Sequence, residues 1–342
     1  MTKKKALIFG ISGQDAYYLS KFLVKKKYTV YGVKKKSKTK NYNIAKLKKI
    51  LKKKLYVSDI SINNFNEVKK IIKKINPDEI YNLAAQSHVG LSFKKPIYTN
   101  NVNFKGVKNI LESILLLNNK IKFFQASSSE ILNKNNKIAK KRIGQNKLSP
   151  YAISKIKAHN LVNNFKKKIF CVNGILFNHE SPLRKKNFVT RKITKIVAKI
   201  SKNKKTPVLY LGNIDTFRDW GHAEDYVKAM WKMLQINKPL DFMICTGKIY
   251  SVRFFIEECF RYIGYKIFWE GKNLDEIGYI IFKKKKKIII KIDKKYFRPI
   301  EKIFIKGNPK KAKKILRFTP KKNIKILIKE MIDFDRQLLK KN

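Results

Sequence analysis

Short apolar runs alternate along the chain with longer stretches whose apolar residues recur every three to four positions. The first run, Ala6-Leu7-Ile8-Phe9, ends at Gly10. A helical spacing follows from Gln14 to about Lys25, and a second run covers residues 28–33. The same pattern predicts strands over residues 79–84, 121–126 and 169–176, and helices over 64–75, 101–117 and 150–165. Buried strands alternating with amphipathic helices predict an α/β fold built on a parallel sheet with right-handed crossovers. After about residue 180 the pattern loosens into longer loops and mixed elements. A first domain over residues 1–177 and a smaller lobe over 178–342 are expected, with some later segments returning to the first sheet.

One stretch stands apart from its surroundings. Residues 172–182 carry no lysine, in a chain saturated with it, and hold the polar cluster Asn178-His179-Glu180 just beyond an apolar strand. Ligands of open α/β sheets bind outside the carboxyl ends of the strands.

Composition changes the picture less than its extremes suggest. The 342 residues include 81 Lys+Arg and 23 Asp+Glu, a formal net charge of +58. One reading is a surface for nucleic acid or anionic lipid. The other is compositional drift toward Lys, Asn, Ile, Tyr and Phe, as in an AT-rich coding sequence. The lysines are spread along the chain rather than gathered in a tail, and arginine, the better base reader, is scarce, which favours drift. No specific nucleic-acid partner is expected. The run Lys283 to Lys287 reads as an exposed turn or hairpin end. Cys171, Cys245 and Cys259 lack metal-ligand spacing and are odd in number, so buried thiols and no metal are expected. No apolar run is long enough to cross a bilayer, and the opening residues do not form a signal peptide; the expectation is a cytoplasmic protein without a membrane partner.

Gly10-Ile11-Ser12-Gly13-Gln14-Asp15-Ala16 joins the first strand to the first helix. Small residues there let the backbone approach a pyrophosphate, and the helix N-terminus supplies N–H donors. Gly10, Gly13, Gln14 and Asp15 are therefore candidate cofactor contacts. The second strand runs into Lys34-Lys35-Lys36-Ser37 without a carboxylate. Cations and a hydroxyl suit a ribose 2′-phosphate, so Lys35 and Lys36 favour NADP over NAD. Asp59, after the third strand, suits an adenine contact or a helix N-cap.

Tyr151 and Lys155 lie four residues apart on a predicted helix and so share a face. A nearby ammonium favours the phenolate, which can take a proton from an alcohol as hydride leaves its carbon. Ser127-Ser128-Ser129-Glu130 follows the strand ending at Ala126. A serine beside the Tyr/Lys pair completes an oxidoreductase acid–base set. Glu130 adds a second base that simple alcohol oxidation does not need.

The motifs named so far, together with residues 81–89, 187–192, 218–223, 269–273 and Arg298-Pro299, resemble the GDP-mannose 4,6-dehydratases of the extended short-chain dehydrogenase/reductase family nearly end to end. The resemblance implies a Rossmann-like doubly wound sheet with a smaller α/β substrate-binding lobe, NADP as cofactor and GDP-mannose as substrate. It implies catalysis by Ser128, Glu130, Tyr151 and Lys155. It adds Ala84, His179 and Arg184 to the cofactor contacts, and Ser87, Asn178, Lys192, Arg218, Arg298 and Glu301 to the substrate contacts. A homo-oligomer, dimer or tetramer, is implied, with the loop of residues 37–43 corresponding to one through which family members join. Trp220 is expected to pack rather than recognise, and His88 and His222 to order loops or make contacts. Departures touch nucleotide affinity more than reaction type. Ser128 stands where threonine is usual, Ala16 replaces a glycine, and Leu183 replaces the first of two arginines. Lys35 and Lys36 replace an arginine pair, Ile300 a threonine, and Lys302-Ile303 a valine–aspartate pair. The competing readings are another nucleotide-sugar dehydratase or epimerase of the same fold, a lysine-rich nucleic-acid binder, and a decayed enzyme. The intact Ser128, Glu130, Tyr151 and Lys155 argue against decay.

Overall fold

A computed structural model describes residues 3–37, 39, 41–133, 135–139, 148–202, 207–297, 304 and 306–340. The chain opens with β1 (Lys5–Phe9), α1 (Gln14–Lys25), β2 (Thr29–Lys34), α2 (Tyr42–Leu51) and β3 (Leu55–Asp59). Then come α3 (Phe65–Ile75), β4 (Glu79–Asn82), α4 (Val89–Lys94), α5 (Pro96–Asn100), α6 (Gly106–Leu117), β5 (Lys122–Ser128), α7 (Pro150–Phe165) and β6 (Cys171–Leu176). The second half begins with β7 (His179–Glu180), α8 (Val189–Ile200), β8 (Leu209–Leu211), β9 (Phe217–Arg218), β10 (Gly221–His222), α9 (Ala223–Gln235) and β11 (Phe242–Ile244). It closes with β12 (Tyr250–Ser251), α10 (Val252–Tyr262), β13 (Phe268–Glu270), β14 (Ile277–Phe282), β15 (Lys285–Ile292), α11 (Lys310–Leu316) and α12 (Ile324–Lys340).

These elements gather into two compact units, Met1–Phe177 with Ala223–Cys245 and Gly307–Thr319, and Asn178–His222 with Thr246–Lys306 and Pro320–Asn342. The first unit is built on a seven-stranded sheet in the order β11-β6-β5-β4-β1-β2-β3, with every pairing parallel. Strand order runs outward in both directions from the β1–β4 pair. That reversal opens a crevice at the carboxyl ends of β1 and β4, the place where such sheets take ligands. One face is covered by α3, α6 and α7. On α6, Val107, Ile110, Leu111 and Ile114 form a fully buried stripe at helical spacing. Burying each such side chain stabilises by roughly 1.5–3 kcal/mol, so Leu111→Ala would open a costly cavity. Glu79, a buried carboxylate on β4, is satisfied by the hydroxyls of Tyr28 (2.8 Å) and Tyr81 (2.6 Å) and by Gln235 Nε2 (3.0 Å), which ties α9 to the sheet.

The second unit holds a four-stranded sheet in the order β13-β14-β15-β8 and two short two-stranded pairs, β7 with β10 and β9 with β12. Its core combines Trp220, Phe255, Phe260, Ile328 and Met331 with residues of α8 and β15. Trp220 is buried and its ring centroid lies 5.1 Å from that of Phe255, as expected of a packing residue. Lys283 and Lys284 form the two-residue turn between β14 and β15, so the lysine run is a hairpin end. Among the described residues, no helix is long and apolar enough to cross a membrane.

Three predicted boundaries move for local reasons. The strand expected to reach residue 84 ends at Asn82, whose Oδ1 accepts from the Ala84 N–H at 3.2 Å and turns the chain. The strand expected to end at Ala126 runs on to Ser128, because Ser127 and Ser128 pair with Ile175 and Leu176 of β6. The helix expected from residue 101 begins as a π-helical segment, Asn101–Lys105, continuous with α5.

Candidate active site

The glycine loop lies at the crevice between β1 and β4. Gly10 adopts φ +87°, and a Cβ there would fall 2.7 Å from the Ala84 nitrogen. Only glycine meets both constraints, so Gly10 and Ala84 are brought backbone to backbone across the switch point. Gly13 is the N-cap of α1 and makes no side-chain cap to the first turn, in which Gln14 and Asp15 stand. Asn43 Nδ2 donates to the Ser12 carbonyl at 3.1 Å and braces the loop from α2.

At the end of β2 the Lys34 ammonium pairs with Asp59 at 2.6 Å. Asp59 ends β3, and Asn64 rather than Asp59 caps α3. The helix-cap alternative for Asp59 is thereby corrected: the carboxylate serves the adjacent lysine. Lys35 and Lys36 are exposed. The Lys35 ammonium stands 6.0 Å from the ring centroid of Tyr98 on α5, a half-exposed aromatic that sequence reasoning had not singled out.

A second missed residue organises the loop after β4. Asn103 is 1% exposed. Its Oδ1 accepts from the Gln86 N–H at 2.9 Å, and its Nδ2 donates to the Gln86 carbonyl and to Ser154 Oγ, both at 3.1 Å. One amide thus fixes the Ala84–Ser87 loop against the reactive turn of α7, in the π-helical segment where an extra residue re-aims side chains. Ser87 in that loop is exposed, and His88 caps α4 by accepting from the Leu91 N–H at 3.0 Å. Helical stretches opening on several asparagines were the available signal.

The reactive set comes from β5 and α7. Ser149 caps α7 by accepting from the Ala152 N–H at 3.1 Å, Pro150 starts it, and Tyr151 follows in the first turn, buried. One turn on, the Lys155 ammonium lies 6.0 Å from the Tyr151 ring centroid and donates to the Ala126 carbonyl at 2.8 Å. Burial without a carboxylate partner lowers the Lys155 ammonium from its ordinary range to about 8. Ser128 ends β5, and its Oγ accepts from the Glu130 N–H at 3.2 Å, so the hydroxyl proton remains for another acceptor. Glu130 lies in the 3₁₀ turn Ser129–Ile131, half-buried, against which α7 packs. The structure therefore brings all four predicted catalytic residues onto the same strand end and the helix beside it.

In the second unit, Asn178 precedes β7 and its carbonyl accepts from the Gly221 N–H at 2.9 Å. His179 is buried on β7, opposite Gly221. Arg184 lies 3.0 Å from the buried Glu180 carboxylate and stacks 3.6 Å from the Phe188 ring centroid. Thr190 donates to the same carboxylate at 2.8 Å. Lys192 on α8 reaches the Tyr296 ring, 4.9 Å from its centroid. Arg218, half-buried on β9, pairs with Tyr250 of β12. Its neighbour Asp219, also missed, is 1% exposed and accepts from Thr246 N (2.8 Å), Thr246 Oγ1 (2.7 Å) and Gly247 N (2.8 Å). His222 is buried against Glu330 at 3.0 Å, which makes it an ordering residue. Arg298 and Glu301 lie outside the described residues. Among the described residues no group of three His, Cys, Asp or Glu could hold a metal ion.

Comparison with known proteins agrees with this arrangement. Residues 7–331 match the family described as GDP-mannose 4,6 dehydratase. The chain is 43% identical to GDP-mannose 4,6 dehydratase of Cricetulus griseus, covering 99% of this chain and 93% of that one. Identity to the Homo sapiens protein of the same name is 42%, over 98% and 92%, and to that of Yersinia enterocolitica 39%, over 99% and 95%. Among solved structures, UDP-glucose 4-epimerase of Thermotoga maritima shares the fold at TM-score 0.76 and 19% identity, over 98% and 99%. RMD of Pseudomonas aeruginosa, solved with NADPH, does so at TM-score 0.73 and 17% identity, over 98% and 100%. With a match spanning nearly the whole chain and relatives this similar over almost their full length, the chain belongs to the GDP-mannose 4,6-dehydratase family.

Proposed function

We propose that the protein dehydrates GDP-mannose to GDP-4-keto-6-deoxymannose, using NADP held at the glycine loop. Family membership supports the substrate. The observation that carries the mechanism is the convergence of Tyr151 and Lys155 on α7 with Ser128 and Glu130 at the end of β5. The narrow backbone cradle at Gly10 and the uncapped N-terminus of α1 fit a pyrophosphate. The exposed Lys35 and Lys36 favour the phosphorylated dinucleotide.

NADP, which the glycine loop at Gly10 and Gly13 would hold, would supply a hydride acceptor for sugar C4 and the hydride donor for C6. Tyr151 takes the 4-hydroxyl proton, with Lys155 lowering the cost of the phenolate and Ser128 orienting the hydroxyl. The 4-ketone acidifies C5–H. Glu130 takes that proton and delivers it to the C6 hydroxyl, which leaves as water. Hydride at C6 and the Tyr151 proton at C5 complete the product, so no cofactor is consumed. His179 and Arg184 are assigned to the cofactor, as are Gln14, Asp15, Asp59 and Ala84. Asn178, Lys192, Arg218, Arg298 and Glu301 are assigned to the GDP portion, whose diphosphate requires cations, and Ser87 to the sugar. The proposal includes a homo-oligomer; Ile97 and Leu116, 77% and 64% exposed, are apolar surface available to a second copy.

Purified protein given GDP-mannose and NADP should form a 4-keto product that absorbs in base, with no net NADPH. Glu130→Gln should lower product formation by about 10²–10⁴-fold, the usual contribution of a general base, while still developing bound NADPH absorbance near the start of reaction. Full dehydration by Glu130→Gln would remove the role given to that carboxylate. Turnover of dTDP-glucose or UDP-glucose in place of GDP-mannose would overturn the substrate.

A further inference from the structure

Further along the reactive face of α7, past Lys155, lies a chain of polar groups that the mechanism does not use. Tyr151, Lys155 and His159 follow one another at four-residue steps and share that face. The His159 ring is 2% exposed. Its Nδ1 lies 3.4 Å from Ser127 Oγ on β5, and its Nε2 lies 3.8 Å from Asp241 Oδ2, just before β11. Asp241 is itself fixed: Lys166 pairs with it at 2.7 Å, and the Asn173 N–H donates to it at 2.7 Å. Asn173 Nδ2 also donates to the His159 carbonyl at 3.2 Å. The order Ser, His, Asp resembles a hydrolytic triad. However, the carboxylate stands too far from the ring to orient a base, and Ser127 is buried.

Burial pushes the His159 imidazolium below its ordinary value, more than the Asp241 carboxylate raises it, which favours a neutral ring. With its proton on Nε2, toward Asp241, the ring accepts the Ser127 hydroxyl at Nδ1. Three successive residues of β5 then have distinct partners. The Ala126 carbonyl takes the Lys155 ammonium, Ser127 meets His159, and Ser128 carries the hydroxyl assigned to the reaction. Core packing of Ala158 and Val162 and the Asn103–Ser154 bond hold α7 as a whole. The Lys155 and His159 ties, on consecutive turns, add polar register between its reactive face and β5.

We infer that His159 is a positioning residue for the dehydration: through Ser127 it locks α7 against β5, so that Tyr151 and Lys155 stay aligned with Ser128. The inference rests on the proposed function. Its physical warrant is the steep cost of misalignment, since an error of about 1 Å at a reacting centre lowers rates about 10²-fold.

The test is a double-mutant cycle on GDP-mannose turnover. His159→Phe keeps the buried ring but not its nitrogens, and should lower kcat about 10- to 100-fold with KM changed less than about threefold. His159→Asn, whose amide can stand where Nδ1 stands, should recover kcat to within about fivefold of the parent. Ser127→Ala should lower kcat about three- to tenfold, and adding it to His159→Phe should change nothing further. A purely structural role would instead lower thermal stability and active fraction in proportion, with no rescue by asparagine. The inference is overturned if His159→Phe keeps kcat within about threefold, or if the two substitutions multiply. Should His159→Phe not fold, an unchanged kcat in Ser127→Ala overturns it alone. Failure of the unmutated protein to turn over GDP-mannose would instead overturn the assigned function.

Discussion

Two deeply buried cations, one in each unit, are held in opposite ways. Lys155, in the first, is 3% exposed and held by a main-chain carbonyl; among the described residues no carboxylate pairs with it. Arg191, in the second, is also 3% exposed but closed on the buried Asp335, which Thr194 also contacts at 2.9 Å. Arg184 is paired with Glu180, and Arg253 is gripped by both Asp215 and Glu276. The consequences diverge. Desolvation brings the Lys155 ammonium down to about 8, whereas the hydrogen-bonding carboxylates raise Arg253 above its ordinary value against the opposing pull of desolvation. A cation held only by a dipole can change its proton state near working pH, which suits a reagent. One held by a carboxylate is locked, which suits a scaffold for recognition residues.

The strongest way to break this comparison is Lys155→Met, because its two expected effects have opposite signs. Loss of the ammonium should lower kcat by about 10²–10⁴-fold. Stability should nevertheless hold or rise at pH 7. The folded-state value of about 8 lies below the ordinary 10.5, so between these values the unfolded chain binds more protons. Stability from this group therefore rises with pH across that window and is lost below it, at a cost on the order of 3 kcal/mol. Removing the lysine relieves that cost, less about 1–3 kcal/mol for leaving the Ala126 carbonyl unpaired. Thermal melts at pH 7 and 10 check the sign: the advantage of Lys155→Met should shrink at the higher pH. A melting point several degrees lower at pH 7 would mean that Lys155 is a structural cation like those of the second unit.

Asp335→Ala is the converse experiment. It strands the Arg191 guanidinium in the core between α8 and α12, and should cost about 3–5 kcal/mol in urea unfolding. Arg191→Met combined with Asp335→Leu should recover most of that loss, since a buried pair contributes little beyond what apolar side chains of similar volume supply. If the single variant loses under about 1 kcal/mol, the pair is not the scaffold described.

What could be read from the sequence follows the range of the interactions. The glycine loop, the Tyr151–Lys155 step and the serine–glutamate turn are local, and each could be placed on a predicted strand end or helix from the alternation of elements. The residues that were missed act at a distance. Asn103 works through Gln86, 17 positions away, and Asp335 through Arg191, 144 positions away. Strand β11 is three residues long, too short for any period to show, yet it forms an edge of the main sheet. The helix-cap alternative for Asp59 failed because its neighbour, Lys34, is set by parallel register between β2 and β3.

Asp219 sharpens the comparison within the second unit, as a buried carboxylate that accepts from two backbone amides and the Thr246 hydroxyl. It shapes residues 246–247 next to β12, whose Tyr250 pairs with Arg218. Asp219→Ala should raise KM for GDP-mannose about tenfold while kcat changes less than about threefold, the signature of lost uniform binding. A fall in kcat with KM unchanged would place Asp219 in the chemistry and not in recognition.

The smallest effect concerns the lysines that belong to neither class. Lys283 and Lys284 close the β14–β15 turn with φ of +51° and +62°. A two-residue turn with both positions left-handed favours Asn-Gly, and each lysine there costs roughly 1–2 kcal/mol relative to a relaxed backbone. The Lys283 ammonium stands 6.0 Å from the Phe282 ring centroid, worth at most about 0.5–1 kcal/mol at an exposed site. Of the eight non-glycine residues at positive φ among those described, four are lysine, so lysine occupies backbone positions where it is a poor choice. That is the mark of drift rather than of a selected surface. Lys283→Asn with Lys284→Gly should therefore shift the urea midpoint upward by the equivalent of about 1 kcal/mol and leave dehydration untouched. If the double variant instead loses activity, charge at this hairpin serves the enzyme, and compositional drift no longer accounts for it.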